Sequence, residues 1–459
     1  MSQHWSRRHA LKALGLAAGS LVLPRASHAI TEAELDETFI LPDRHLMPQL
    51  NRPVTAITIG AGNRGNVYGN FADKYPDQLD IIGVAEPNHL RNERHAQKHK
   101  IAEENRFNSW EEVFKRPKMA DAVIIATPDN LHYGPCMAAL KMGYHVLLEK
   151  PIAPTEKECR DILNLAKKTN RVVAVCHVLR YAPYFEELKK VIDSNAIGKL
   201  ISIQHFEPIE HIHMSHSYVR GNWHNSKQTT PIILAKSCHD LDILRWLVND
   251  RADKISAMGS LSWFKKDNAP QGSTARCIDG CAVESSCPYS AMEIYLRKRK
   301  RLYAFDLPTD KTQWDTAITE VLKTTNYGRC VYRMENDQPD HYISNILFKN
   351  GVTASFSMEA FTSYEGRRTR IMGSLGDITG DMQQFVHTDF KTGKKTEWSR
   401  KTDNHGGGDW RLVADWVKAV SQNDPSLLPS TIDMAVESHV MAFQAEQSRL
   451  QSKVMQIKI

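Results

Sequence analysis

The stretch Val54–Gly65, reading VTAITIGAGNRG, constrains this chain most. Val54, Ala56, Ile57 and Ile59 make a short apolar run that reads as a buried parallel strand. It runs into Gly60-Ala61-Gly62-Asn63-Arg64-Gly65, a G-x-G-x-x-G turn opening a helix. In a dinucleotide site Gly60 permits the tight turn, Gly62 lets the backbone approach a pyrophosphate, and Gly65 lets helix and strand pack closely. The helix start aims free N–H groups and the positive end of its dipole at phosphate. Such turns also arise by chance, so the rest of the chain has to carry the reading.

Beyond the turn, strand and helix alternate. Leu79–Ala85 reads as the second strand and ends at Glu86, about 20 residues past the turn. An acid there accepts hydrogen bonds from the adenosine ribose and repels a 2′-phosphate. That favours NAD, while Asn63 and Arg64 leave NADP open, because an arginine near the ribose welcomes a phosphate. Ala122–Ala126 is a further strand, and Thr127-Pro128-Asp129-Asn130-Leu131-His132 comes next at the carboxyl end of the sheet, where ligands bind in such folds. Tyr144–Leu148 ends in Glu149-Lys150-Pro151. The proline keeps Lys150 out of the helical region and fixes its ammonium at a strand end. Strand–helix units repeated through Cys176 predict a doubly wound parallel sheet over 53–176.

A chain of 459 residues is too long for one ordinary domain. With 24% charged and 41% hydrophobic residues it has the composition of a soluble globular protein. The net charge of +6 is mild and Lys and Arg are scattered, so no nucleic-acid footprint is present. The dense run Arg297–Arg301 reads as a solvated face. Residues 1–29 are expected to be a targeting segment. Arg7-Arg8 precede an apolar stretch, Ala13–Leu23, and a small-x-small cleavage pattern ends at Ala29. The stretch is too short for a stable membrane span. The arginine pair resembles a twin-arginine (Tat) signal, with an ordinary secretory signal as the rival. Because the Tat machinery exports folded proteins, a periplasmic or otherwise exported enzyme with its cofactor already aboard is expected. Residues 30–52 read as an arm over the body.

The glycine turn, Ala126-Thr127-Pro128-x-x-x-His132, Glu149-Lys150-Pro151, Arg180-Tyr181-x-Pro183, Ile197-Gly198-Lys199-Leu200 and His239-Asp240-Leu241-Asp242 come in a telling order. In that order the chain resembles the glucose–fructose oxidoreductase / inositol dehydrogenase (Gfo/Idh/MocA) family, well over 53–260 and loosely beyond. The resemblance implies an α/β protein: an N-terminal Rossmann domain, then over 177–459 an α/β domain with a large, mostly antiparallel sheet. Its last helices would pack back on the Rossmann domain. It also implies a homo-oligomer formed through the open sheet face, and an active site between the domains. Cofactor contacts are then expected from Gly60, Gly62, Asn63, Arg64, Gly65, Glu86, Thr127, Pro128, Asn130, His132, Glu149 and Lys150.

Hydride transfer from an alcohol carbon needs a group that removes the hydroxyl proton. Lys150 and His239 are the candidates, and the resemblance implies both. A buried lysine near positive charge is easily deprotonated, and a histidine needs little tuning. The chain departs from the family at one place: the aspartate often found four residues before the histidine is Ala235, followed by Lys236 and Ser237. The segment from His205 to Asn225 is rich in His and aromatic residues and suits a sugar, with Trp223 covering C–H surface and His224 bonding hydroxyls. The rival readings are zinc at His211, His213 and His216, or a surface loop. Tyr181, Lys236 and His405 are further substrate candidates. His405 lies in a glycine-rich loop before a helix, with Asp409 as the expected N-cap. Cys277-x3-Cys281-x5-Cys287 reads as a structural staple, either a metal (zinc or iron–sulfur) or a disulfide. The other five cysteines, Cys136, Cys159, Cys176, Cys238 and Cys330, read mostly as buried small residues, with Cys238 able to line the site.

The leading expectation is an exported NAD(P)-dependent oxidoreductase with tightly bound cofactor, acting on a hydroxyl of a sugar, cyclitol or glycoside. One alternative is an NAD-dependent glycosidase of the glycoside hydrolase family 109 type, which works by transient oxidation, elimination and re-reduction. A second is a non-catalytic sugar-binding protein.

Overall fold

The computed structural model describes residues 47–400 and 407–458. The expected signal segment, the arm as far as residue 46, and His405 lie outside them. The first half is a six-stranded sheet, β1 (Val54–Ile59), β2 (Leu79–Ala85), β3 (Arg106–Phe107), β4 (Ala122–Ile125), β5 (His145–Leu148) and β6 (Val173–Val175). All pairings are parallel, in the order β3-β2-β1-β4-β5-β6. Helices α1 (Asn63–Lys74), α2 (His89–Lys98), α3 (Trp110–Phe114), α4 (Tyr133–Lys141) and α5 (Glu156–Thr169) make the crossovers. Strands covered on both faces need apolar residues at every position, and β4 and β5 are buried throughout. The strand order reverses between β1 and β4, which opens the crevice used by ligands in such sheets.

Beyond α6 (Pro183–Asp193) the second half builds a nine-stranded sheet. Its strands are β7 (Leu200–Pro208), β8 (Ala252–Ser260), β9 (His341–Phe348), β10 (Thr353–Glu359), β11 (Arg368–Gly373), β12 (Gly376–Gly380), β13 (Gln384–Asp389), β14 (Lys395–Ser399) and β15 (Met455–Gln456). The order is β14-β13-β12-β11-β7-β10-β9-β8-β15, and only β7 with β10 is parallel. The family resemblance implied this parallel sheet followed by a mostly antiparallel one. Helices α7 (Cys238–Val248) and α10 (Ile432–Gln451) cover one face, and α9 (Gly408–Gln422) packs back on α1. The period-2 alternation of β7 puts Ile203, His205 and Glu207 on the covered face, all three buried. Cross-strand neighbours Met258 and Ile343 stand exposed on the other face.

Three features depart from the sequence reading. Strands β12 to β14 and the helix α8 (Trp314–Thr324) were not expected. β14 is nearly all exposed and β12 begins and ends in glycine, so neither shows an apolar alternation. The His-rich segment is no surface loop: Met214–Arg220 is a fully buried stretch with π-helical winding. Two of its polar groups find partners inside the protein, as burial favours: Ser215 Oγ donates to Ile212 O (2.9 Å) and His216 Nδ1 meets the Tyr295 hydroxyl (2.9 Å). His211 turns to Thr362 O (3.2 Å) and His213 to Glu365 (2.7 Å), so the three rings diverge rather than converge on zinc.

Burial lowers His95, His216 and His439 to about 3, and His145 and His213 to about 4. These folded values lie below the ordinary 6.5, so the unfolded chain binds more protons once the pH drops under that value. The stabilisation from neutral rings is therefore complete above about pH 6.5 and is lost as pH falls towards 4. At pH 5 each ring accounts for about 1–2 kcal/mol of that loss. Calorimetry is expected to show Tm lower by several degrees at pH 5 than at pH 7; an unchanged or higher Tm at pH 5 refutes the neutral burial of these rings.

Candidate active site

The glycine turn is set by backbone crowding at two of its three glycines. Gly60 has φ +92°, and a Cβ on it would lie 2.7 Å from Ala126 O on the neighbouring strand. A Cβ on Gly65 would lie 2.1 Å from Gly60 O. Gly62 is different: a Cβ there meets nothing nearer than Arg91 Nη1 at 4.0 Å. The protein leaves that space open, directly before α1, which has no side-chain N-cap and no acid in its first turn. Open space, uncapped N–H groups and a positive dipole end fit a pyrophosphate. The Thr127 hydroxyl beside the turn is buried without a protein partner among the described residues, a further group that a bound ligand would satisfy.

Other side chains brace this cradle. Glu86 accepts from Ala61 N (2.8 Å) and Asn88 N (2.9 Å), so its carboxylate is fixed at the end of β2. Asn66 donates to Ala61 O and Gly62 O, both at 3.0 Å, and was not foreseen as part of the turn. Arg64 does not wait for a 2′-phosphate. Its Nε donates to Glu149 Oε1 (2.5 Å), and its Nη2 to Asp409 Oδ1 (2.6 Å) and the Tyr68 hydroxyl. Tyr68 in turn donates to Glu149 Oε1 (2.5 Å). Burial pushes the Glu149 carboxyl up, but Arg64 and Lys150 outweigh it and hold it below its ordinary value. Asp409 therefore lies inside the first turn of α9 as an ion-pair partner, with Gly407 at the N-cap position assigned to it from sequence. His132 also braces the site. It is buried, with Nδ1 at 2.6 Å from Pro151 O and Nε2 at 2.9 Å from Thr127 O. Pro128 and Asn130 are exposed, and Asn130 Nδ2 donates to Gln228 O (3.3 Å).

Lys150 follows β5 and stretches to the second half, where Nζ donates to Ala235 O (2.7 Å). The residue replacing the family's acid thus offers its carbonyl to the lysine. His239, near the start of α7, is 5% exposed, and its ring is 6.0 Å from that of His177. His177 also packs on His439, centroids 5.3 Å apart. The two aspartates after His239 anchor it in opposite directions. Asp240 pairs with Arg367 (2.6 Å) and His205 (3.0 Å), and Asp242 with Arg180 (2.6 Å) and His177 (2.9 Å). Burial raises both carboxyls, but Arg367 and Arg180 hold them well below the carboxylate range. Lys236 does not face solvent: Nζ pairs with Glu207 Oε1 (3.1 Å), and Glu207 also meets Arg367 (2.9 Å). Glu207 thus brings a buried acid from the sheet to Lys236, close in sequence to the Ala235 position. The alternation of β7 was the signal that could have revealed it.

Among the substrate candidates, Trp223 donates its indole N–H to Asp129 (3.1 Å), which also accepts from Thr230 (2.5 Å). Asp129, missed in the sequence reading, ties the post-β4 loop to the His-rich segment. His224 Nδ1 meets Gly221 O (2.7 Å), so it caps its own turn. Tyr181 is corrected to a core residue: it is 1% exposed, in the segment between β6 and α6. Cys238 is also fully buried, its thiol pushed up to about 12.

Comparison with known proteins places this geometry. The profile described as "Oxidoreductase family, NAD-binding Rossmann fold" matches residues 54–177, and "Oxidoreductase family, C-terminal alpha/beta domain" matches 189–455. The chain belongs to the Gfo/Idh/MocA oxidoreductase family. Its N-terminal domain is therefore an NAD-binding domain and the protein an NAD(P)-dependent oxidoreductase. It is 24% identical to YteT of Bacillus subtilis over 320 residues, 65% of this chain and 72% of that one. It is 34% identical to an inositol 2-dehydrogenase/D-chiro-inositol 3-dehydrogenase of Lactiplantibacillus plantarum over 130 residues, 28% of this chain and 34% of that enzyme. Apart from YteT, the chain spans about half or less of the curated relatives it matches. Levoglucosan dehydrogenase, solved with NADH and levoglucosan, shares the fold at TM-score 0.66 and 16% identity, covering 89% of this chain and all of that one.

The Gfo/Idh/MocA cradle yields a two-way test. Gly62→Ala meets no protein atom, so its thermal stability without cofactor is expected to match the parent while NAD binding weakens by tenfold or more, on the order of 1–2 kcal/mol. Gly65→Ala is expected to destabilise the folded protein itself. Calorimetry paired with NAD titration checks both; Gly62→Ala binding NAD as tightly as the parent refutes the cradle.

Proposed function

We propose that this chain oxidises a hydroxyl carbon of a sugar, cyclitol or glycoside, and that it is exported with NAD locked in place. The observation that carries the reading is Lys150 Nζ held at 2.7 Å from Ala235 O, four residues before His239, where the Rossmann half reaches the second half of the chain. Bound NAD supplies the hydride acceptor. Lys150 and His239 together handle the proton of the substrate hydroxyl, the role that family resemblance implies for these positions. Trp223, steadied by Asp129, offers an aromatic face suited to sugar C–H surface. The inositol and levoglucosan dehydrogenases among the relatives act on molecules of this class, which supports the choice.

Slow cofactor exchange has its own support. Asp306 accepts from Arg91 Nε (2.7 Å) and from Asn88 (3.3 Å), and Leu307 O accepts from Arg94 (2.9 Å). These contacts latch the segment around Asp306 onto α2, beside the open space at Gly62. A cofactor trapped under such a latch has to be reset inside the site, either by a second substrate or by return of the hydride to the first. The same latch, with Ala235 in the acid position, therefore favours a second reading, redox-neutral cleavage of a glycoside. Met258 and Ile343, exposed on the uncovered sheet face, support self-association there.

Purified protein given sugars and glycosides without added cofactor separates these readings. Ketone formed at one equivalent of bound NAD supports net oxidation. Free sugar released with no net NADH supports the second reading. Tight sugar binding without turnover on either panel supports a binding protein. Protein that neither contains nor binds a nicotinamide cofactor overturns the proposal. His239→Ala is expected to lower kcat about 10²–10⁴-fold with NAD still bound; retention of parental turnover sinks its role. Export is tested separately: Arg7→Lys with Arg8→Lys is expected to leave the precursor unexported, and normal export excludes the twin-arginine route.

A further inference from the structure

We propose that Cys277, Cys281, Cys287 and Cys330 bind one structural zinc ion. Three of them form the C-x3-C-x5-C run, and the fold brings the fourth. Cys277 N donates to Gly328 O and Cys330 N to Ala275 O, each at 2.9 Å, around an antiparallel bridge between Arg276 and Arg329. That register puts the Cys277 and Cys330 side chains on the same face of the bridge. All four cysteines are free thiols and line a single small cavity of about 20 Å³. A cavity of that size has room for a single ion, which four thiolates would hold at Zn–S distances of about 2.3 Å. Among the described residues no three ligand side chains are already set to coordinate. Binding therefore draws the four sulfurs inward across this cavity.

The observation that points to an anion is Arg220, which lines the same cavity and is 1% exposed. Nε donates to Arg329 O (2.8 Å), and Nη2 to Tyr289 O (2.7 Å) and Cys277 Sγ (3.7 Å). Nη1 is buried without a hydrogen-bond partner, and no carboxylate pairs with this guanidinium among the described residues. A buried cation surrounded by carbonyls needs a counter-charge. Four thiolates around Zn²⁺ carry two net negative charges and supply it. Two disulfides are neutral and leave Arg220 unbalanced. Ala291 N also donates to Cys277 Sγ (3.5 Å), the kind of second contact that orients a thiolate ligand. Zinc binding releases the thiol protons, and no redox change is involved.

Metal analysis of the full-length protein purified without chelator is expected to find about one zinc per chain. After exchange for Co²⁺, the protein is expected to show the thiolate-to-cobalt charge-transfer bands and the visible bands of a tetrahedral site. Cys281→Ser and Cys330→Ser, which remove a thiolate ligand, are each expected to weaken metal binding by more than the roughly 10–100-fold typical of losing a group that only orients a ligand. If either variant fails to fold, the cobalt spectrum of the parent decides alone. Metal-free protein whose intact mass matches two disulfides overturns the proposal. So does metal-free protein with four reactive thiols, or a cobalt spectrum lacking the thiolate bands.

Discussion

The site depends on one buried ion cluster. Arg64, on the first turn of α1, holds Glu149 from the end of β5 and Asp409 from α9. It thereby joins the glycine turn, the lysine-bearing strand end and the C-terminal part of the chain. Both carboxylates are less than a tenth exposed, whereas Arg64 keeps about a quarter of its side-chain surface. Removing one partner from such a cluster strands buried charge, typically at about 3–5 kcal/mol, so the geometry is stiff where hydride-transfer chemistry requires stiffness. Lys150 gains its position from this cluster: its own N–H donates to Glu149 Oε2 (2.9 Å) before the side chain turns to Ala235.

A second fixed point lies across the crevice. The run His239-Asp240-Leu241-Asp242 is short, yet its two acids grip different layers. Asp240 reaches the sheet through Arg367 and His205, and Asp242 reaches the linker after β6 through Arg180 and His177. The histidine before them is thus held in place from two sides, because both acids are engaged in buried ion pairs. Glu207, buried on the same sheet, is held between Lys236 and Arg367.

The Rossmann half was legible because β4 and β5 are continuous apolar runs and the glycines mark a turn that backbone crowding enforces. Motif order singled out Lys150 and His239 as the candidate acid–base pair, and their chemistry stays a proposal. What escaped the sequence reading were partnerships across long separations. Arg64 looked like a ribose contact because nothing local showed Asp409 arriving from the far end of the chain. Met214–Arg220 looked like a sugar-binding loop because His, Tyr and Arg are polar in isolation; tertiary partners such as Tyr295 made them fit for burial. Cys330 looked like an ordinary small core residue because its neighbours are set by a chain crossing rather than by spacing.

Residues 261–340 also carry an evolutionary consequence. Ser260 and His341, which flank them, face each other as the last paired residues of β8 and β9. A tight hairpin would close that sheet equally well. Part of the excursion has its own small core around Ile294, Tyr295, Ile318 and Leu322, while Phe264, Tyr289, Val331 and Tyr332 join the main core and Gln338 bonds to the segment after Trp223. Loop-closure entropy rises only slowly with length, so the part around that small core can be lengthened or trimmed at little entropic cost while the ladder stays complete. Asp306 and Leu307 within the excursion bond to α2, next to the open space at Gly62, so variation there bears on the proposed latch without touching the strand ends that carry Lys150 and Glu149.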